Sequence, residues 1–81
     1  MWEEKNNKLI RDFIFKDFTE AFSFMTEVAF HCERQNHHPD WRNVWNRVFV
    51  SLSTHDAGNT VTEKDRELAS IIDQVYNRFI S

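Results

Sequence analysis

The chain has 81 residues, carries a net charge of −3 with its histidines neutral, and includes eight phenylalanines, three tryptophans and one cysteine, Cys32. This length predicts a single domain over residues 1–81 with a small core, and a lone cysteine excludes both an intrachain disulfide and a zinc site built on several thiolates. The acidic balance argues against nucleic acid as the main partner, because phosphate binding needs a basic patch, and oligomerisation is the expected source of additional burial.

The N-terminal segment predicts a β-hairpin. Residues 9–15 alternate between two faces and are rich in β-branched and aromatic side chains, which is typical of a strand. Residues 2–5 are the expected partner strand, because Asn6 and Asn7 between the two segments are of a type that tight turns favour. The chain is therefore expected to begin with two antiparallel strands.

A helix is predicted from about Asp17 to Gln35. Asp17 is a candidate N-cap and Glu20 follows three residues later, which is a variant of the capping box. Pro39 prevents the helix from continuing, since proline lacks a backbone N–H. The apolar stripe at helical spacing comprises Phe18, Ala21, Phe22, Met25, Val28, Ala29 and Cys32. The cysteine of this stripe is interpreted as a packing residue and not as a nucleophile.

Two more strands are predicted after this helix. Residues 41–45 are interpreted as a short strand and Asn46 as part of a tight turn. Residues 47–54 alternate in polarity, with Phe49 on one face and, on the other, Val48, Val50 and Leu52. Residues 56–61 are expected to form a loop.

The last segment predicts a second helix. Thr62 and Asp65 open it in the manner of a helix cap. Its apolar face comprises Leu68, Ile71, Ile72, Val75, Tyr76 and Phe79. Ala69 and Ile80 widen that face beyond what a surface helix needs, which predicts contact with a second subunit. The order β-β-α-β-β-α predicts an α+β fold in which a four-stranded antiparallel sheet carries two helices packed on one face.

The sequence also predicts where the protein works. No apolar run is long enough to span a bilayer, so no membrane partner is expected. The first five residues show no signal-peptide pattern, and a single unpaired cysteine is typical of a reducing compartment. The expected location is the cytoplasm.

Three histidines, His37, His38 and His55, lie on predicted loops at the ends of helices or strands. Functional groups concentrate at such positions, and all three rings can meet in one cleft if the last strand lies beside the end of the first helix. Histidine both accepts and donates protons near neutral pH, so the cluster indicates acid–base catalysis. Glu33, one helical turn before His37, is a candidate to orient a histidine or to carry a proton, although spacing alone favours an ordinary solvated helix glutamate.

Two other interpretations of the same residues stay open. An ordinary polar loop accounts for adjacent histidines without any chemistry. A metal site is the sharper rival, because the three histidines and Asp56 carry nitrogen and oxygen ligands that zinc accepts. Adjacent side chains in an extended segment point in opposite directions, however, which makes joint ligation by His37 and His38 awkward.

The chain resembles the pterin-4a-carbinolamine dehydratase family. Residues 33–44, Glu-Arg-Gln-Asn-His-His-Pro-Asp-Trp-Arg-Asn-Val, resemble the family's signature, in which a glutamate precedes a His-His-Pro run and a Trp/Asn/Val strand. Residues 52–56 resemble its second block, a strand that ends in Thr-His-Asp or Thr-His-Glu. Residues 62–69 resemble the start of its last helix, and residues 15–25 its first strand-to-helix junction. The blocks occur in family order over nearly the whole chain.

The resemblance implies an enzyme that eliminates the 4a-hydroxyl of 4a-hydroxytetrahydropterin as water and leaves quinonoid dihydropterin, in the recycling of tetrahydrobiopterin. It implies no metal and no organic cofactor, since the pterin is the substrate. The catalytic set that it implies is His37, His38 and His55, with the first and last as the main proton-transfer groups. The substrate-binding set that it implies is Trp2, Glu33, Asp56 and Asp65.

The family fold has the same element order, and its subunits form homodimers or homotetramers. The chain departs from the family pattern in three places: the usual N-terminal helix is missing, Asn36 stands where an acid is common, and the loop at residues 57–61 looks one residue longer. The alternative function is a dimeric protein-binding module, a partner of transcription factors, that docks through the last helix and does not need His37 or His55.

Overall fold

The sheet and helices form in the predicted order in the computed structural model, which describes residues 1–80. The elements are β1 (Glu3–Lys5), β2 (Lys8–Ile14), α1 (Phe18–Gln35), β3 (Asp40–Val44), β4 (Arg47–Leu52), a short 3₁₀ turn (His55–Ala57) and α2 (Glu63–Ile80). The strands form one sheet in the order β1-β2-β4-β3, and every neighbouring pair is antiparallel. The predicted α+β class is confirmed.

Asparagines make the first tight turn. Asn6 and Asn7 join β1 to β2 with φ angles of 53° and 63°, a left-handed conformation that asparagine tolerates better than most residues and that suits a two-residue hairpin. Between β3 and β4 the left-handed residue is Trp45, and this is why β3 ends one residue earlier than predicted. The next residue, Asn46, fixes this turn to the end of β2, because its side chain donates to the Phe15 carbonyl at 2.9 Å.

The ends of α1 are both capped. The Asp17 side chain accepts a hydrogen bond from the Glu20 backbone N–H at 2.8 Å, as the sequence predicted, and the Glu20 carboxylate accepts from the Lys16 N–H. The helix stops at Asn36, which is left-handed at φ 51° and donates its N–H to the carbonyls of the last turn. This C-cap turns the chain so that His37 and His38 leave the helix toward the end of β4.

The core lies between the two helices and one face of the sheet. Alternate residues of β2 and β4 supply the sheet side, and the helices supply one stripe each. The residues in this core include Leu9, Phe13, Val48, Val50, Leu52, Phe24, Val28, Leu68, Ile72 and Val75. Cys32 is buried among them, and burial raises the pKa of its thiol to about 11, so the side chain packs as a small apolar group.

The wide apolar face of α2 is largely used within the protomer. Ala69, one of the two residues that widened the face, is buried in the same core, whereas Ile80 is 55% exposed. Contact with a second subunit therefore stays a prediction. The apolar surface of α2 that is free for such a contact is smaller than the sequence indicated. Within residues 1–80, no helix is both long enough and apolar enough to cross a membrane.

Candidate active site

A polar cleft opens where three segments meet: the loop after α1, the end of β4 with the 3₁₀ turn, and the first turn of α2. Its volume is about 320 Å³, at the small end of the range for ligand sites. Every lining side chain is polar; the residues are Asn36, His37, His38, Ser53, Thr54, His55, Asp56 and Lys64. The structure thus brings the three predicted histidines to one cleft.

The His37 ring is hydrogen-bonded to a buried carboxylate. Its Nε2 lies 2.6 Å from Oδ1 of Asp65, which has no exposed surface. Burial acts to raise the pKa of the Asp65 carboxyl, but hydrogen bonds from His37, Thr62 and Thr54 outweigh it and lower that pKa below its ordinary value. Asp65 is therefore an ionised acceptor, and His37 donates through Nε2. The other ring nitrogen, Nδ1, is left for a ligand in the cleft.

His38 has a carboxylate partner of a different kind. Its Nε2 lies 3.3 Å from Oε1 of Glu33, and the two side chains are 60% and 83% exposed. Water and salt screen a pair this exposed, so it restrains the ring only weakly. The two neighbouring rings bond carboxylates on different helices: His37 bonds Asp65 of α2, and His38 bonds Glu33 of α1.

His55 is oriented by its own turn. The ring Nδ1 lies 3.0 Å from Oδ1 of Asn59, and Asn59 is left-handed at φ 60° beside Gly58 at φ 84°. The Thr54 backbone carbonyl accepts from the Asn59 N–H, which closes the turn against β4. Because an amide oxygen only accepts, Nδ1 of His55 carries the proton and Nε2 is left for a ligand.

The predicted substrate-binding residues lie in different places. Asp56 lines the cleft, and Glu33 reaches its rim through His38. Asp65 does not line the cleft, but it bonds two residues that do, His37 and Thr54. Trp2 lies outside the cleft: its indole N–H donates to Asp73 at 2.8 Å, its ring packs edge-on against a core phenylalanine, and it lines a separate groove between β2 and α2. Its role in substrate binding stays a prediction, because Trp2 lies outside the cleft of this protomer.

Four cleft residues were not predicted from the sequence: Asn36, Ser53, Thr54 and Lys64. The sequence did hold a signal for Thr54, because it continues the inward-facing alternation of Val48, Val50 and Leu52 with a polar side chain. Such a residue needs a buried hydrogen-bond partner, and Asp65 is that partner at 2.7 Å. Lys64 in the first turn of α2 places a cation at the cleft.

The metal interpretation finds no preformed site. Among residues 1–80, no three side chains of histidine, cysteine, aspartate or glutamate are arranged to hold a metal ion. His37 and His38 bond carboxylates on two different helices.

Comparison with known proteins agrees with the fold. A model of the family described as pterin 4 alpha carbinolamine dehydratase matches residues 1–75. A relative from Prochlorococcus marinus (strain MIT 9515) is 49% identical over 77 residues, which are 95% of this chain and 79% of the relative. A relative from Burkholderia pseudomallei (strain 1710b) is 58% identical over 65 residues, 80% of this chain and 63% of its own length. Both carry the name pterin-4-alpha-carbinolamine dehydratase as a provisional assignment.

Two solved structures share the fold. A transcriptional coactivator/pterin dehydratase from Brucella melitensis superimposes with a TM-score of 0.88 and 40% identity, covering 93% of this chain and 81% of that one. A pterin dehydratase-like RuBisCO assembly factor of the alpha-carboxysome has a TM-score of 0.75 over 94% of this chain and 87% of its own, but at 21% identity it supports the fold alone. By its family match, its relatives and its fold, the chain belongs to the pterin-4a-carbinolamine dehydratase family.

Proposed function

We propose that the protein catalyses the dehydration of 4a-hydroxytetrahydropterin to quinonoid dihydropterin in the recycling of tetrahydrobiopterin. In this reaction the 4a-oxygen takes a proton and the C4a–O bond breaks, so that water leaves. The N5 proton is removed, and the electron pair of the N5–H bond forms the C4a=N5 double bond. The reaction needs one proton donor and one proton acceptor at neighbouring positions, and no redox step.

One observation carries the proposal: three histidines share a polar cleft, and each has one ring nitrogen hydrogen-bonded to a protein side chain. In each ring the hydrogen-bonded nitrogen is engaged by the protein, and the opposite nitrogen is left for substrate. We assign proton transfer to His37, whose ring a buried carboxylate restrains, and to His55, whose exposed ring is hydrogen-bonded within its own turn. His38, restrained only by an exposed glutamate, positions the hydroxyl or shares in its protonation.

The pterin ring offers hydrogen-bond donors and acceptors along one edge, and the cleft has matching groups. Asp56 accepts hydrogen bonds, Lys64 donates them, and the Asn36 amide does both. Glu33 acts at the rim by orienting His38. The cleft is otherwise open to water, so specificity rests on these polar contacts more than on apolar fit.

The test is turnover of freshly generated 4a-hydroxytetrahydropterin, followed by absorbance against the uncatalysed dehydration. We expect acceleration by the wild-type protein and a loss of roughly 100-fold in His55→Ala, the usual size of general acid–base assistance. His31→Ala is the matched control, since His31 lies on α1, outside the cleft, and contacts Arg34. Folded wild-type protein without acceleration, or equal losses in both variants, would contradict the proposal.

A protein-binding role is the alternative function. It is favoured by the exposed Ile80 on α2 and by the Brucella structure, whose description includes a transcriptional coactivator. This role needs no histidine, so it would become the better interpretation if the folded protein failed to turn over the pterin. Either function is compatible with a cytoplasmic homodimer or homotetramer, and sedimentation of the purified protein measures that assembly directly.

A further inference from the structure

We propose that Thr54 is a positioning residue for His37: its buried hydroxyl fixes the Asp65 carboxylate, and that carboxylate in turn makes Nδ1 the ring nitrogen that His37 offers to substrate. The expected effect of Thr54 on kcat rests on the proposed function, whereas its effect on the tautomer of His37 does not. Thr54 lies just past β4 and is 6% exposed. It occupies an inward-facing position where the strand otherwise carries valine and leucine.

The hydrogen bonds around Asp65 allow one arrangement of donors. Oδ2 of Asp65 receives the Thr54 hydroxyl at 2.7 Å and the Thr62 backbone N–H at 2.9 Å. A hydroxyl has a single proton, so Thr54 cannot also donate to the Thr62 hydroxyl 2.6 Å away. The Thr62 hydroxyl must therefore donate to Thr54. The result is a short chain of donors that ends on Oδ2.

Because Oδ2 is occupied by two donors, Oδ1 is the atom left for His37. A carboxylate is an acceptor only, so the His37 nitrogen at 2.6 Å carries the proton. In the neutral ring, Nδ1 is then unprotonated and able to accept a proton from substrate. The imidazolium formed in that step lies against a buried negative charge, which stabilises it, as in catalytic His–Asp pairs.

Removal of the Thr54 hydroxyl takes away one of the two donors on Oδ2 and breaks the link to the Thr62 hydroxyl. The carboxylate is then free to rotate away from His37, and wherever its hydrogen bond to Nε2–H is lost the ring no longer has one preferred tautomer. Thr54 acts on the His37 ring through Asp65, because its hydroxyl bonds Oδ2 and His37 bonds Oδ1 of that carboxylate.

The experiment is ¹⁵N NMR of the histidine rings, combined with kcat and KM, for wild type, Thr54→Val, Thr54→Ser and Thr26→Val. Thr54→Val removes the hydroxyl at nearly constant volume, and Thr54→Ser restores it. Thr26→Val is the matched control, because the Thr26 hydroxyl is exposed and bonds only to the Phe22 carbonyl. We expect the Nε2–H tautomer for His37 in wild type, serine variant and control, and a mixture of tautomers in Thr54→Val.

For kcat we expect Thr54→Val to lose about 10- to 100-fold with little change in KM, the size of one hydrogen bond to a charged group. Thr54→Ser should recover most of the loss. A single Nε2–H tautomer and wild-type kcat in Thr54→Val would overturn the proposal. The Nδ1–H tautomer in the wild-type protein would also overturn it, whether or not Thr54→Val folds. If the wild type has no dehydratase activity, the proposed function fails, and the tautomers alone decide the role of Thr54.

Discussion

His37 and His38 are neighbours in the chain and each bonds a carboxylate through Nε2, yet the two pairs are physically different. His37 is 10% exposed and lies 2.6 Å from the wholly buried Asp65, whereas His38 is 60% exposed and lies 3.3 Å from a glutamate that is 83% exposed. Charges interact strongly where water is excluded and weakly where it is not. The ring of His37 is therefore fixed, whereas the ring of the adjacent His38 can adjust its position.

The largest difference between the pairs should appear when each carboxylate becomes an amide. Asp65→Asn places an NH₂ group among donors in a buried site, so we expect unfolding free energy to fall by about 3–5 kcal/mol and kcat to fall by roughly 100-fold or more. Glu33→Gln makes the same change in an exposed pair and should cost less than about 1 kcal/mol. Urea denaturation and steady-state kinetics measure both. Equal losses in the two variants would remove the distinction between the pairs.

Replacement of the rings themselves should separate the two histidines next. His37→Gln removes a proton-transfer group and should lower kcat by about 100-fold. His38→Gln keeps a hydrogen-bonding side chain at the rim and should lower it by about 10-fold or less, since its role is to position the hydroxyl. The comparison uses kcat of both variants at one pH; a greater loss in His38→Gln would exchange the proposed roles.

Acid should weaken the buried pair only at low pH. The pKa of Asp65 is held below the ordinary aspartate value of 3.8, so its carboxylate stabilises the folded state fully above that pH. The stabilisation is lost as pH falls through the lower, folded-state pKa. The difference in unfolding free energy between wild type and Asp65→Asn should therefore not shrink between pH 7 and about 4, and it should shrink below that range. A difference that shrinks between pH 7 and 5 would show that Asp65 is not held ionised.

Salt should produce the smallest effect. At 1 M salt the screening length is about 3 Å, which weakens exposed ion pairs but reaches buried ones much less. We expect the His38 ring resonances to move with added salt and those of His37 to stay nearly constant. Similar shifts for both rings would place them in similar surroundings.

Much of the fold follows from local patterns in the sequence. Period-two alternation placed β2 and β4, and helical periodicity with Asp17 as the cap placed α1. Boundaries were less predictable. β4 ends at Leu52 and not at residue 54, because Thr54 leaves the ladder to pair with Thr60 across the following turn. The left-handed Trp45 gives no sequence signal, since tryptophan has no preference for that conformation.

The candidate site was only partly predictable. The histidines could be grouped because each lies where a helix or strand ends, and the pairing of β4 between β2 and β3 brings those ends together. The burial of Asp65 could not be predicted, because it depends on how the first turn of α2 packs against Thr54, eleven residues away. The position of Trp2 likewise depends on its bond to Asp73, seventy-one residues away.

The most direct test of the central claim is dehydration of 4a-hydroxytetrahydropterin by wild type and by His37→Ala, with the folded state of each checked by circular dichroism. We expect clear acceleration over the uncatalysed rate by the wild type and a loss of about 100-fold in the folded variant. Equal acceleration by both proteins would contradict the assignment of His37, and no acceleration by folded wild type would contradict the enzyme.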